Sequence, residues 1–79
     1  MRIDWSSDMY ALVTDAGVDP SEVEDVLLSA KTKVTRSHSE RLDAWGTTED
    51  GSCLWIEFMR RDSLLLITGV EAIECEDMP

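Results

Sequence analysis

Apolar residues recur at helical spacing in two stretches near the start of the chain, and each stretch predicts a helix. The stretches consist of Met9, Leu12, Val13 and Ala16, and then of Val23, Val26, Leu27 and Ala30. Gly17 follows the first stretch, where a left-handed glycine commonly ends a helix. Asp19 and Pro20 precede the second, and an aspartate N-cap followed by proline is a strong helix start. We therefore predict two helices joined by a tight connection.

After Ala30 the pattern changes from helical spacing to alternation, which is typical of β-strands. The predicted strands cover residues 31–36, 41–47, 53–60 and 64–68. Residues 37–40 are predicted to form a loop, and Gly51 supplies the positive φ of a hairpin turn at residues 48–52. The last strand is apolar on both faces, so we place it inside the sheet. The tail from Val70 to Asp77 is predicted to contain one short helical turn.

These elements predict one α+β domain that spans residues 1–79. Two N-terminal helices pack on one face of a four-stranded antiparallel sheet, and a short tail helix follows the last strand. The first five residues either add a short strand or pack beneath the sheet. A chain of this length has room for a single core.

Two tryptophans fall on neighbouring predicted strands. If the hairpin loop is Glu49–Gly51, then Trp45 and Trp55 lie directly opposite each other on the sheet face that the helices leave open. A two-residue loop at Asp50 and Gly51 would shift the register and separate them. Tryptophan is enriched at the energetic centres of interfaces, so the pair is a candidate partner-binding surface. The alternative is a cross-strand pair that only stabilises the sheet.

The charge of the chain narrows the choice of partners. There are 17 acidic and 7 basic residues, which give a formal net charge of −10. Lys and Arg supply most of the affinity for nucleic acid, so this composition argues against direct binding of DNA or RNA. Residues 31–41 form a short basic stripe between two acidic blocks. Glu22 and Asp25, on the polar side of the second helix, are candidate contacts to a basic protein; the alternative is charge that only keeps the chain soluble.

The two cysteines, Cys53 and Cys75, fall in a predicted strand and in the acidic tail, and we interpret both as free thiols. The N-terminus is polar within its first residues, and no apolar run approaches the roughly 20 residues that span a membrane. We therefore expect a cytoplasmic protein, because thiols stay reduced there. The cysteines and His38 lack metal-ligand spacing, and no phosphate-binding glycine loop occurs. We expect no metal and no cofactor.

Several short motifs occur in one order along nearly the whole chain. They are Ile3-Asp4-Trp5, Ala16-Gly17-Val18, the run from Arg41 to Gly46, Asp50-Gly51, the strand Leu54–Phe58 and Leu66-Ile67-Thr68. In this order they resemble the BrnT toxins, small RelE-like ribonucleases of bacterial toxin–antitoxin pairs. The resemblance implies a BrnT-like fold. It also implies one hypothesis for activity, which is RNA cleavage. In this hypothesis RNA is bound by Arg36, Arg41, Arg60 and Arg61, and proton transfer is carried out by His38 or Glu40.

Departures from that family's pattern favour a function without catalysis. Asp15 and Ala16 stand where the family carries lysine and histidine, and Thr68-Gly69-Val70 lacks the arginine that ends the family's last strand. Removal of even one preorganised charge donor can cost about 10²–10³ in rate. Our first hypothesis is therefore a non-catalytic, acidic protein-interaction domain on a BrnT-like scaffold. In its most specific version, the hypothesis is that the domain is an inhibitor or nucleic-acid mimic that targets a basic nucleic-acid-processing protein. Such a domain would be encoded by a bacterium or a phage.

The candidate partner-binding residues under this hypothesis are Trp45, Trp55, Glu22, Asp25 and Arg41. Two alternatives stay open. The first is a BrnT-like ribonuclease toxin with Arg41, Glu40 and His38 as its catalytic residues. The second is a homodimer that forms through the tryptophan pair or through the predicted edge strand at residues 31–36.

Overall fold

The computed structural model describes residues 2–6, 8–29, 31–38 and 40–79, with Ser37 and His38 described by their backbone alone. The elements in chain order are β1 (Arg2–Trp5), α1 (Met9–Asp15), α2 (Pro20–Leu28), β2 (Lys33–His38), β3 (Arg41–Thr47), β4 (Cys53–Arg61), β5 (Leu64–Ile73) and a 3₁₀ turn (Cys75–Asp77). The five strands form one sheet in the order β1-β5-β4-β3-β2. The predicted α+β class is confirmed.

The prediction of a four-stranded antiparallel sheet is wrong, because β1 joins the sheet as a fifth strand. It lies parallel to β5, with Ile3 opposite Leu65 and Trp5 opposite Ile67. The other three strand pairs are antiparallel. β1 has only four residues, too few for a clear alternating pattern. Its position beside β5 packs Ile3 and Trp5 against the core.

Both helices pack their apolar sides on one face of the sheet. Their buried residues are Val13, Val23, Val26 and Leu27, and those of the sheet are Ala44, Leu54, Ile56, Phe58, Leu65 and Ile67. α2 begins as the sequence predicts, since the Asp19 carboxylate accepts a hydrogen bond from the Ser21 backbone N–H at 2.9 Å and Pro20 opens the helix. Only Val13 of α1 is fully buried, so α1 is the less firmly packed helix.

The hairpin between β3 and β4 has the predicted register. Gly51 has a φ of +91°, and Trp45 lies directly opposite Trp55. β2, at the sheet edge, extends beyond the prediction, because residues 37 and 38 belong to the strand rather than to a loop. A register shift between Arg36 and His38 allows this extension, and it places His38 opposite Arg41.

β5 is longer than predicted and runs to Ile73, which shortens the predicted tail helix to the 3₁₀ turn. The extension has a covalent consequence. Ile73 lies opposite Cys53 at the start of β4, so the chain brings Cys75 back beside that residue. The two cysteines form a disulfide with their Cα atoms 5.2 Å apart. The prediction of free thiols is therefore wrong, because pairing of the tail with β4 decides where Cys75 lies.

Candidate protein-interaction surfaces

The first candidate surface is the tryptophan face, which we define as the helix-free side of β3 and β4 around Trp45 and Trp55. The two ring centroids are 6.5 Å apart, and the ring planes meet at 52°. Trp55 Nε1 donates a hydrogen bond to Asp43 Oδ1 at 3.1 Å, and Trp45 Nε1 donates to Thr35 Oγ1 at 3.3 Å. Both side chains are half-buried. Their polar atoms are satisfied within the domain, so a partner at this face would meet the apolar parts of the rings.

A glycine in β5 lets the Trp55 ring reach across that strand. A Cβ atom at Gly69 would lie 3.4 Å from Trp55 Cη2 and 3.5 Å from Trp55 Cζ3. The indole therefore rests directly over the glycine backbone. Trp55 consequently lines a cleft at the margin of β5 as well as the tryptophan face.

Arg41 also lies on the tryptophan face, where it forms an ion pair. Its Nη1 is 3.3 Å from Glu57 Oε1, and the Thr68 hydroxyl donates to that same oxygen at 2.9 Å. Nearly half of the Arg41 side chain is exposed, while Glu57 is largely covered. Glu57 therefore holds a guanidinium that remains accessible beside the tryptophan pair.

The second candidate surface is the acidic cluster, which we define as Asp19, Glu22, Asp25, Glu49 and Asp50. The first three come from α2 and its N-cap, and the last two come from the turn between β3 and β4. Glu22 and Asp25 share a small cleft with Glu49, and Glu22 shares a second cleft with Asp19 and Asp50. The fold thus joins two acidic segments that are far apart in the sequence.

Glu22 lies at the centre of this cluster. Burial raises the pKa of its carboxyl group, and the charges of the other four cluster members raise it further, with Asp50 the strongest of them. Asp50 behaves differently, because hydrogen bonds from the Thr48 hydroxyl and from the Ser52 backbone and hydroxyl groups lower its pKa. The turn therefore favours the ionised form of Asp50, whereas the surroundings of Glu22 disfavour its ionised form.

The ion pairs of the described residues all lie away from the acidic cluster. They join Arg2 to Asp4, Arg41 to Glu57, and Arg61 to Glu40. Residues 8–29, which hold both helices, contain six acids and no lysine or arginine. In the described part of the chain, the negative charge of the helical layer is thus not neutralised by an ion pair.

A third surface gathers basic residues at the opposite end of the sheet. Arg36, Arg60 and Arg61 line a groove with an apolar floor of Val34 and Leu42, and Val34 is 51% exposed. Glu40 and Asp62 complete the lining, and Glu40 Oε2 is 2.8 Å from Arg61 Nη2. We call this the arginine groove. It collects three of the four arginines of the ribonuclease hypothesis.

The three residues of the catalytic hypothesis lie around the connection between β2 and β3. Glu40 pairs with Arg61, while Arg41 pairs with Glu57 on the tryptophan face. His38 lies opposite Arg41 in the strand register, and its side chain is outside the described residues. Glu40 and Arg41 are therefore engaged in separate ion pairs, and their catalytic role stays a prediction.

Sequence reasoning missed the β5-edge cleft, which lies between α1 and β5 and has a volume of about 510 Å³. Its lining includes Met9, Leu12, Val13, Ala16, Val18 and Val70. Leu12 is 58% exposed although it belongs to the predicted apolar stripe of α1. No sequence signal marks this cleft, because Leu12 falls within the predicted stripe and the cleft depends on where β5 lies relative to α1.

No protein-family model, curated protein or solved structure matches this chain. The resemblance to the BrnT toxins therefore stays a prediction. Within the described residues, no helix is long and apolar enough to cross a membrane. That same part of the chain contains no group of three His, Cys, Asp or Glu side chains arranged to hold a metal ion.

Proposed function

We propose that this domain is a non-catalytic, acidic protein-interaction module, on a BrnT-like scaffold, that binds a basic protein. The observation that carries the proposal is that α2 and the β3–β4 turn bring their acidic side chains together in one cluster. None of the ion pairs among the described residues includes a member of this cluster. Glu22 and Asp25, which the sequence singles out, both belong to that cluster.

The chemistry of the cluster favours lysine or arginine as its binding partner. Burial is the main reason why the pKa of Glu22 is raised, and the crowded carboxylates of the cluster add their mutual repulsion. A cationic side chain placed among them would relieve it and form charge-assisted hydrogen bonds. The net charge of −10 would also steer a basic protein toward the domain and speed association at low salt.

In its most specific form, the proposal is that the domain acts as an inhibitor or nucleic-acid mimic. Proteins that bind nucleic acid present lysine and arginine to the phosphates, so an acidic surface that covers those side chains competes with DNA or RNA. The tryptophan face is a second contact in this proposal, since Trp45 and Trp55 expose apolar ring surface beside the accessible guanidinium of Arg41. Indole rings and arginine are both enriched where interface energy concentrates.

The cellular location belongs to the proposal as well. The sequence favours the cytoplasm, whereas the disulfide between Cys53 and Cys75 is typical of oxidising compartments. Thiol trapping on the protein extracted from its native cells would decide between these locations. Alkylated thiols would support the cytoplasm, and an intact bridge would support an oxidising compartment.

Capture from native-host extracts tests the proposed function. We expect the wild-type domain to retain a basic protein that added nucleic acid displaces and that dissociates as salt rises from about 0.1 M to about 0.5 M. The variant Glu22→Gln/Asp25→Asn should lose that protein. A matched control, Glu76→Gln/Asp77→Asn, removes the same charge from the exposed 3₁₀ turn and should retain it. Equal retention by both variants, or no basic protein at all, would contradict the proposal.

The arginine groove favours one alternative, a BrnT-like ribonuclease toxin. Its three arginines and Glu40 could hold a phosphate and a proton-transfer group close together. This alternative predicts growth arrest when the protein is expressed and RNA cleavage by the purified domain. Arg41→Ala should abolish the cleavage. Intact RNA and undisturbed growth with the wild-type domain would exclude it.

A further inference from the structure

The β5-edge cleft has the shape of a site for an extended peptide. It lies between α1 and the second half of β5, with Leu12 on the helix side and Val70 on the strand side. Most of the Leu12 side chain is open to solvent, while Val13 behind it is buried. The cleft therefore offers apolar surface to an incoming side chain without any rearrangement of the core.

The strand that lines the cleft has an open edge. β1 pairs with β5 only as far as Ile67. The last hydrogen bond of this pairing is donated by the Ser6 backbone N–H to the Ile67 carbonyl at 2.9 Å. From Val70 to Ile73, β5 pairs with β4 on one side and, among the described residues, with no strand on the other. Such an edge is a template for one more strand, because backbone groups there remain available for ladder hydrogen bonds.

The cleft continues into the acidic cluster. A neighbouring cleft of about 400 Å³ shares Ala16, Val18 and Ala72 with it and is also lined by Asp19, Glu22 and Asp50. Glu71 adds one more carboxylate to the β5-edge cleft, and neither cleft has a lysine or arginine in its described lining. An apolar site at a strand edge therefore leads directly into a strongly negative one.

We propose that an extended segment of a basic protein binds here as an added strand on β5. An apolar side chain of the segment fills the cleft against Leu12, and a nearby lysine or arginine reaches Glu22 and its neighbours. This inference rests on the proposed function and names its mode of docking. A second copy of this chain fits the site poorly, because each copy carries a net charge of −10 and brings Glu71 to the same edge.

Selection from a displayed library of random eight-residue peptides on the intact, oxidised domain tests the inference. We expect enriched peptides to combine an apolar residue with lysine or arginine. A selected peptide, made synthetically, should perturb the backbone amide signals of Val70–Ile73. Leu12→Asp should weaken its binding about tenfold or more, because the apolar contact is lost. The control Leu28→Asp changes a leucine of α2 that is 57% exposed and lies outside both clefts, and it should leave binding unchanged.

Four results would overturn the inference. The first two are a library that yields no enriched peptide and a selected peptide that binds the Leu12→Asp variant as tightly as it binds the wild type. The other two are amide shifts confined to the tryptophan face and self-association in sedimentation that Leu12→Asp abolishes.

The host-protein capture separates this inference from the proposed function. If Glu22→Gln/Asp25→Asn loses the partner and Leu12→Asp keeps it, the proposed function stands and the edge-docking mode fails. If peptides bind at the edge but no host partner is captured, the edge-docking mode stands and the proposed function fails.

Discussion

Glu22 shows, at the scale of single residues, how one side chain couples surface charge to stability. Its pKa is raised in the folded state, so its ionised form destabilises the fold at neutral pH. That destabilisation fades as pH falls through the folded-state pKa, and it is absent below the ordinary glutamate value of 4.5. Glu22→Gln should therefore increase the free energy of unfolding at pH 7, with little difference from the wild type once pH is below that value.

Urea unfolding of both proteins at neutral and acidic pH measures this effect. Glu76→Gln is the matched control, because Glu76 lies in the exposed 3₁₀ turn. It should change stability little at either pH. A lower free energy of unfolding for Glu22→Gln at pH 7 would mean that Glu22 contributes more by its contacts than it costs by its charge.

Gly46 is a residue whose small size the packing requires. It is buried in β3, and a Cβ atom there would lie 2.6 Å from Val26 Cγ1 and 2.8 Å from Thr32 Oγ1. Gly46→Ala should cost about 1–3 kcal/mol of stability, as overpacking typically does. Adding Val26→Ala should recover part of the loss, so the double variant should be less destabilised than the two single variants together. Strict additivity would argue that the two side chains do not collide.

At the scale of elements, the disulfide fastens the C-terminal turn to the start of β4. The bridge spans a sequence separation of 22 residues and includes the whole β4–β5 hairpin. Cys53→Ala/Cys75→Ala should therefore lower the free energy of unfolding by about 3 kcal/mol, mainly because the unfolded chain gains freedom. Chemical denaturation of the variant and of the oxidised wild type measures the difference.

Reduction of the wild-type protein provides the control for this prediction. A reductant should lower the stability of the wild type to near that of the variant, and it should leave the variant unaffected. If the oxidised wild type and the variant unfold at the same denaturant concentration, the bridge does not constrain the chain as proposed.

At the scale of the whole molecule, charge is distributed unevenly over the two ends of the sheet. The helical layer and the β3–β4 turn are acidic, while the arginine groove lies at the end of the sheet where β2 and β4 finish. With a net charge of −10, the domain is destabilised by self-repulsion that salt screens. Thermal unfolding should occur at a higher temperature in about 0.5 M NaCl than in about 0.01 M NaCl.

The acidic cluster should account for a large part of that salt dependence. Glu22→Gln/Asp25→Asn removes two of its five charges, so the shift in unfolding temperature between low and high salt should shrink for this variant. The shift should shrink less for Glu76→Gln/Asp77→Asn, because these two side chains are exposed on the 3₁₀ turn and do not contribute to the raised pKa of Glu22. An equal shift in both variants would show that net charge alone matters and that the clustering does not.

The elements that could be predicted from the sequence are those whose causes are local. The N-cap of α2 at Asp19, the turn at Gly51 and the Trp45–Trp55 register each depend on residues within a short hairpin or helix turn. The cleft beneath Leu12 could not be predicted, because it depends on where β5 lies relative to α1.

The sequence by itself determined the α+β class, the apolar stripes of the helices, the hairpin register and the excess of acid. Only the tertiary structure decided that β1 pairs with β5, that Cys53 meets Cys75, and that the acids of α2 join those of the β3–β4 turn. The physical reason is the range of the interactions. Periodicity and turn chemistry act over a few neighbouring residues, whereas these three contacts form only when one core brings distant segments together.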